Sequence, residues 1–411
     1  REGRRGAPPP SRRAEVPPTL RLRPAAELPE VELRQDLRNP HPWIWRSNIA
    51  RDPGGLATGD LVRVSSPGGP IGVALYHPGV TIGLRLLTRD ADESIDAAFF
   101  VRRLRAAQEL RAAFHLEETT NAYRLLHAEA DEVSGLVIDV LGDVIRVECY
   151  ALGIARLREP IAAALHELFP DKQLVIRANH RASEIEGFTL EPAAEEPHTT
   201  EVREHGVRYH VDLRTGHKTG FFCDQRENRL ALGQLAAGKT VLDVNTYTGG
   251  FALTALAQGA SSVTGVDLDE EAIAVATKNA KLNQAGGKAR FVQADAFPYL
   301  RQLTTEPEVM VLDPPKLVQD PRHLEEGLRT YSDLNRLGME KIQPGGTLVT
   351  CSCSGAVSEA AFLDMLRNAA GRAQRTLTIF RVAGPGPDHP VALHVPETRY
   401  LKAVFARVNA L

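Results

Sequence analysis

The chain has 411 residues, a formal net charge of −3 and 43% hydrophobic residues, which at roughly 100–200 residues per domain suggests two or three domains. Its four cysteines, Cys149, Cys223, Cys351 and Cys353, show no repeating spacing; this excludes a disulfide framework and points to a reducing cytoplasm. No stretch approaches the roughly 18 consecutive apolar residues of a membrane span, and the N-terminal REGRRGAPPPSRRAEVPP lacks the apolar core of a signal peptide, so no membrane partner is expected.

The near-neutral charge also excludes a global attraction to nucleic acid, leaving only local patches. Residues 1–50 hold ten Arg and no Lys against six Asp or Glu. A bias toward Arg along the whole chain, 40 Arg to 9 Lys, accounts for much of that excess without any RNA contact.

In chain order, residues 1–19 are rich in Pro and Arg and carry too few apolar residues to fold, so they read as a disordered lead-in. Residues 20–92 alternate short apolar runs with Gly and Pro, the pattern of a small β-rich module. Trp43 and Trp45 fall in this module, and the expectation is that they pack in its core rather than stack bases. Residues 93–195 read as a second, α+β module. In it SIDAAFFVRRLRAAQELRAAF has helical spacing and GLVIDVLGDVIRVECY forms a hairpin turning at Gly142-Asp143. EGFTLEPAAEEPHTTEVREHG reads as a connector, and VRYHVDLRTGHKTGFFCDQRENR as a hairpin leading into a helix. The third module, 196–411, includes that hairpin. From 237 onward apolar strands at 240–244, 261–267, 289–295, 308–313 and 346–352 alternate with helices, which predicts a parallel, doubly wound α/β sheet. Ligands bind beyond the carboxyl ends of such strands, so the residues there are the candidates.

Strand one carries Asp243 and runs into NTYTGGF, where Gly249 and Gly250 open a helix and let a ligand approach the backbone. Strand two ends in Asp267, suited to ribose hydroxyls, and strand three in Asp295, placed for an adenine amino group. The G-x-G-x-x-G of dinucleotide enzymes is missing after strand one. An adenosyl ligand without phosphates, S-adenosylmethionine, fits better, with its charged end near Asp243. Strand four ends in Asp313-Pro314-Pro315-Lys316, stiffened by the prolines.

Strand five ends in Cys351-Ser352-Cys353, and the two thiols share a side if the strand persists to 353. Nothing nearby supplies further metal ligands, so no metal is expected. Inert core thiols are one reading. The other is a nucleophile: a thiolate that adds to C6 of cytosine makes C5 reactive toward a methyl donor, and loss of the C5 proton then expels the thiolate. Asp313, bonded to N3 and the exocyclic amine, would stabilise the charge that develops. The base must be unstacked or flipped for this chemistry.

D-P-P-K, T-C-S-C-S-G, N-x-Y-T-G-G-F, G-H-K-T-G-F-F-x-D-Q-R-E-N-R and the late D-H-P-V and Y-L-K runs together resemble the bacterial 23S ribosomal RNA cytosine-C5 methyltransferases with an N-terminal PUA domain. The resemblance covers nearly everything after residue 20. It implies a multi-domain α/β protein: a PUA-like RNA-binding module at 20–92, a central α+β module at 93–195 and a Rossmann-like doubly wound S-adenosylmethionine methyltransferase domain at 196–411. By motif, Cys353 corresponds to the nucleophile and Asp313 to the D-P-P-K carboxylate, whereas Cys351 is dispensable. The cofactor-binding residues it implies are Asp243, Asn245, Tyr247, Thr248, Gly249, Gly250, Phe251, Asp267, Asp295 and Asp313, with Lys218, Gln225 and Arg226 in a segment that closes over cofactor or RNA. His217 stands where that family often has Gln. Lys316 stands where other RNA cytosine methyltransferases carry a cysteine thought to help product release, so another, unidentified base must serve here. The expected partner is 23S ribosomal RNA or a large-subunit precursor, with the oligomeric state open and a homodimer among the options. The rival readings are uridine C5 methylation and a non-catalytic RNA-binding assembly factor.

Overall fold

Short strands of three to nine residues recur along this chain, and their pairing gives its sheets. The structure, a computed structural model, describes residues 15–39, 41–214 and 220–411. Two compact units result, one comprising the chain to 107 with 126–138 and 145–196, the other comprising 108–125, 139–144 and 197–411. Among the described residues no helix is long and apolar enough to cross a membrane.

The first unit contains a six-stranded sheet in the order Trp43–Trp45, Ile82–Thr88, Gly69–Tyr76, Leu61–Ser66, Glu30–Leu33, Ile49–Arg51. Its core is Val31, Leu33, Ile44, Val62, Val64, Ala74, Tyr76, Leu84 and Leu86. The tryptophans do not join that core, contrary to expectation. Side chains alternate across a strand, so burying Ile44 (1% exposed) turns Trp43 and Trp45 outward, and Trp45 remains 45% exposed. Trp43 instead donates its indole N–H to Glu129 at 2.9 Å. The lead-in also ends earlier than expected: Glu15 bridges to Phe188 and the carbonyl of Pro17 accepts from Arg158 at 2.9 Å. The hairpin Leu136–Leu141 and Val144–Cys149 turns at Gly142-Asp143 as read from sequence, with Gly142 at φ 61°.

In the second unit a hairpin of Thr199–Glu204 and Val207–Asp212 precedes the helix Arg226–Leu235. The first of these strands lies in the stretch expected to be a connector. Its polar composition conceals a strand because Glu204, fully buried, forms a two-bond ion pair with Arg229 at 2.6 and 2.7 Å.

The sheet that follows has seven strands, numbered along it β1 (Thr240–Val244), β2 (Ser262–Asp267), β3 (Ala289–Gln293), β4 (Val309–Leu312), β5 (Gly346–Ser352), β6 (Arg375–Ala383) and β7 (Lys402–Ala410), in the spatial order β3-β2-β1-β4-β5-β7-β6. β1 to β5 are parallel, as expected. β7 runs antiparallel to β5 and β6, an addition the sequence reading did not include. Helices Gly250–Ala257, Glu270–Leu282, Ala296–Gln302, Leu324–Lys341 and Glu359–Arg372 intervene. Leu312, Leu348, Tyr331, Phe362 and Val404 belong to one buried cluster of this layered core, and Val311, Val349, Phe251 and Phe405 to another. The strand order reverses between β1 and β4, where an open α/β sheet forms its ligand crevice.

Candidate active site

After β1 the backbone turns through Asn245 (φ 62°), Tyr247 (φ 51°) and Gly249 (φ 88°), three alternate residues in the left-handed region. Side chains other than Gly, Asn and Asp rarely adopt it. Glycine is required at 249, because a Cβ there would lie 2.9 Å from the Phe291 ring. Asp243 stabilises the loop from within: its Oδ2 accepts the Thr246 hydroxyl at 2.5 Å and the Ala252 N–H at 3.1 Å. Its Oδ1 and the Asn245 Oδ1 are buried without a hydrogen-bond partner. Native proteins rarely leave buried polar atoms so, and these two suit the charged end of a ligand lying over the loop. Burial pushes the Asp243 carboxyl up to about 6.

Asp267, the last residue of β2, is half-buried and accepts the N–H of Tyr247 at 2.8 Å on Oδ2 and that of Asp269 at 3.0 Å on Oδ1. It therefore ties two strand ends together and keeps lone pairs for a diol. Asp295 is exposed two residues beyond β3 and caps the following helix through the Phe297 N–H at 2.8 Å. Thr248 and Gly250 are held by their carbonyls, which accept from Asn279 at 3.0 Å and Tyr209 at 3.3 Å. The Tyr247 hydroxyl reaches the Gly220 carbonyl at 3.3 Å, and the Tyr247 ring meets Phe222 edge to face at 5.0 Å.

The neighbouring strand ends carry the reactive groups. Asp313 directly follows β4, half-buried, and the amide of Gln225 donates to its Oδ2 at 3.1 Å. Gln225 also interacts with the Cys351 thiol and accepts from Asn228 at 2.7 Å, so one buried amide joins the carboxylate to the buried thiol of the pair. β5 stops at Ser352, so the alternation that would have turned both thiols to one side ends before Cys353. Cys351 is fully buried, and burial pushes its thiol well above the ordinary value. Of the four cysteines only Cys353 is not buried.

The turn bearing Cys353 is fixed on both sides. Ser352 donates to the Tyr331 hydroxyl at 3.0 Å, which lies 3.0 Å from the Ser354 hydroxyl, and Ser354 accepts the Val318 N–H at 3.1 Å. Ser354, held by Tyr331, thus links the segment after Asp313-Pro-Pro to the cysteine turn.

Three expected cofactor residues need different accounts. Arg226 is fully buried and spends its guanidinium on both oxygens of Asp388, at 2.8 and 3.1 Å. It holds the Asp388-His389-Pro390 segment instead of facing a ligand. Phe251 is 5% exposed and packs in the core with Leu232 and Val263, because the helix opening at Gly250 turns this position inward. Lys218, with His217 beside it, lies outside the described residues. The residues missed by sequence reasoning are Tyr331 and Lys402, and Gln225 in its task on Asp313. Tyr331 sits in an unmarked helix, while Lys402 stands in the quoted Y-L-K run that carried no assigned role.

The 3-2-1-4-5-7-6 order, the glycine-bearing loop after β1 and the acidic ends of β1 and β2 define the class of S-adenosylmethionine-dependent methyltransferases. Residues 155–404 match the family of that description, and residues 32–89 match a PUA-like domain. Over 377 residues the chain is 37% identical to ribosomal RNA large subunit methyltransferase I of Klebsiella pneumoniae (strain 342), covering 90% of this chain and 94% of that protein, and 36% identical to the enzyme of the same name from Erwinia tasmaniensis, covering 90% and 95%. The chain belongs to the family of these methyltransferases. A solved SAM-dependent methyltransferase from Streptococcus mutans shares the fold, with a TM-score of 0.77 and 22% identity over 92% of this chain and all of that one.

The ribose assignment gives a direct expectation. Asp267→Ala should weaken S-adenosylmethionine binding by about 1–3 kcal/mol, roughly 5–150-fold, the cost of stranding polar partners. Calorimetric affinity equal to that of the unaltered protein would remove Asp267 from the site.

A second expectation concerns pH. The folded Asp243 carboxyl sits at about 6, above its ordinary 3.8, so the proton is held more tightly in the folded, ligand-free protein. A cationic ligand favours the ionised form and must displace that proton below pH 6. Cofactor affinity should hold steady above pH 7 and fall by up to about tenfold per unit as pH drops below 6. Asp243→Asn should flatten the profile; a flat profile in the unaltered protein contradicts the assignment.

Proposed function

We propose that this protein methylates C5 of a cytidine in 23S ribosomal RNA through a covalent bond between Cys353 and C6. The observation that carries this reading is the single accessible thiol, Cys353, on a turn clamped to the segment after Asp313-Pro-Pro at the ends of adjacent strands. The relatives' names supply the substrate class: they act on large-subunit ribosomal RNA.

The cofactor supplies an electrophilic methyl group when bound. Asp267 and Asp295 would hold its ribose and adenine, Asp243 and Asn245 its charged end, and the loop through Gly249 and Gly250 would let it lie close to the backbone. Cys353 as thiolate adds to C6 of the flipped cytosine, and the ring electrons move onto C5. Asp313, oriented by Gln225, meets N3 and the exocyclic amine and offsets the developing charge. After C5 has gained the methyl group, its proton leaves, the ring electrons return and the C6–sulfur bond breaks.

We assign RNA docking to residues 20–92 and place the central module at 93–195 and the catalytic module at 196–411. Arg34, Arg46 and Arg51 line one pocket of the β-rich unit, and the adjacent Trp45 is 45% exposed, a surface that can engage phosphate and stack a base. A ribosomal substrate supports a cytoplasmic location as part of this reading. Incubation of ribosomal RNA with enzyme and methyl-labelled cofactor, followed by nucleoside analysis, tests the reading. Label in 5-methylcytidine supports it, label in 5-methyluridine replaces it with the uridine reaction, and no label in either free RNA or large-subunit precursors favours an assembly factor.

A further inference from the structure

Lys402 is the first residue of β7, paired with Ser352 in the strand register and only 3% exposed. Its ammonium donates to the carbonyl of Ser354 at 2.6 Å and to that of Tyr400 at 2.8 Å. Among the described residues no carboxylate lies within ion-pair distance of it. A buried cation without an anionic partner is costly, and a fold keeps one where the charge has a use.

The carbonyl it grips belongs to the residue directly after Cys353. We propose that Lys402 is the positioning residue of the nucleophile: its ammonium pins the 353–354 turn and stands as the counter-charge that stabilises the Cys353 thiolate. The inference rests on Cys353 being the nucleophile. The proton lost from Sγ leaves to solvent, Lys402 keeps its own, and the resulting sulfur anion and ammonium compensate one another in a site where burial strengthens their attraction.

The surrounding charges agree with this pairing. Burial pulls the Lys402 ammonium down to about 8, and the foremost influence opposing that fall is Cys353. Lys316 from the segment after Asp313 and Arg399 just before β7 act against the charged lysine, and Glu359 acts for it. The Cys353 thiol also acts on Tyr331, Tyr400 and Cys351, while Asp313 and Asp224 act on Cys351 beside it. Lys402 is thus a buried cation tied to the residue that follows the thiol, and its two carbonyl contacts leave one N–H of the ammonium uncommitted.

The test is the pH dependence of Cys353 alkylation by iodoacetamide in the full-length protein, read on the Cys353 peptide by mass spectrometry. The other three thiols are buried and report on unfolding. In the unaltered protein the midpoint should lie below the ordinary thiol value of about 8.5. Lys402→Met and Lys402→Gln should each move it upward by about one unit, Lys402→Arg should restore it, and cofactor affinity should stay unchanged while methylation falls about 10–100-fold in kcat. Gln retains a donor without the charge, so it separates counter-charge from simple anchoring. A midpoint at or above 8.5 in the unaltered protein, or one unmoved in both neutral variants, overturns the proposal. Should the variants lose cofactor binding, the midpoint of the unaltered protein decides alone. Failure of the nucleophile reading looks different: Cys353→Ala would still methylate RNA, whatever the alkylation profile shows.

Discussion

Cys353→Ala is expected to lose methylation by at least about a thousandfold and to lose all covalent trapping on RNA carrying 5-azacytidine at the target, because that analogue blocks the proton loss that frees the thiolate. Cys351→Ala should keep both. The asymmetry follows from where β5 stops. Cys351 is still within the strand, paired opposite Ala403, with no exposed surface and a thiol that burial keeps protonated. Cys353 lies one residue past the strand on a turn held by Ser352, Ser354 and Tyr331, half-buried, where a base can reach it. Loss of the buried thiol should cost about 1–2 kcal/mol of packing and of its bond to Gln225, visible in melting and not in the adduct. Methyl incorporation and a gel-shifted protein–RNA adduct measure the two effects. An adduct that survives Cys353→Ala and vanishes only in Cys351→Ala would exchange the roles of the two thiols.

That pair also marks how far sequence reading reaches. The five parallel strands were legible because each is a short, largely apolar run set between helical stretches, and the reactive residues were legible because they stand at or just past the ends of those runs. β6 was not, since it alternates apolar with polar residues at the sheet edge, where Phe380 is 51% exposed; β7, with its buried run from Ala403 to Ala406, escaped because it runs antiparallel between β5 and β6, outside the strand–helix alternation. The tryptophans were misplaced for the opposite reason: three consecutive apolar residues, Trp43 to Trp45, cannot all face one way on a strand.

Within the site, residues whose meaning depends on a distant partner stayed hidden. Gln225 reads as one polar residue among several until the fold brings it to Asp313, 88 positions away. Lys402 gains its meaning only when β7 inserts beside β5. A local motif records which groups are present, whereas the pairing that turns an amide into a carboxylate's partner is decided by sheet order. Arg226 shows the converse: it stands inside a functional motif, yet the fold gives its buried guanidinium to Asp388.

Arg226→Met is accordingly expected to destabilise the protein by about 3–5 kcal/mol, the usual result of removing one partner of a buried ion pair, with cofactor affinity of the folded fraction unchanged. Asp388 accepts both guanidinium bonds and the Arg124 N–H, and both side chains are fully buried, so the variant leaves a carboxylate deep in the fold with its guanidinium partner gone. His389 and Arg226 hold the Asp388 carboxyl far below the usual carboxylate range against the effect of burial. A carboxyl depressed on folding stabilises at pH above its unfolded value of about 3.9 and loses that contribution only as pH falls toward the folded one. The loss in Arg226→Met should therefore shrink as pH falls below about 3.9, the unfolded carboxyl value. The double variant Arg226→Met with Asp388→Leu should cost less than the sum of its parts, because two neutral side chains leave no stranded charge. Urea unfolding gives both numbers from the midpoints at constant slope. If Arg226→Met instead unfolded at the unaltered midpoint while cofactor affinity fell severalfold, Arg226 would return to the ligand and the ion pair with Asp388 would be its resting contact.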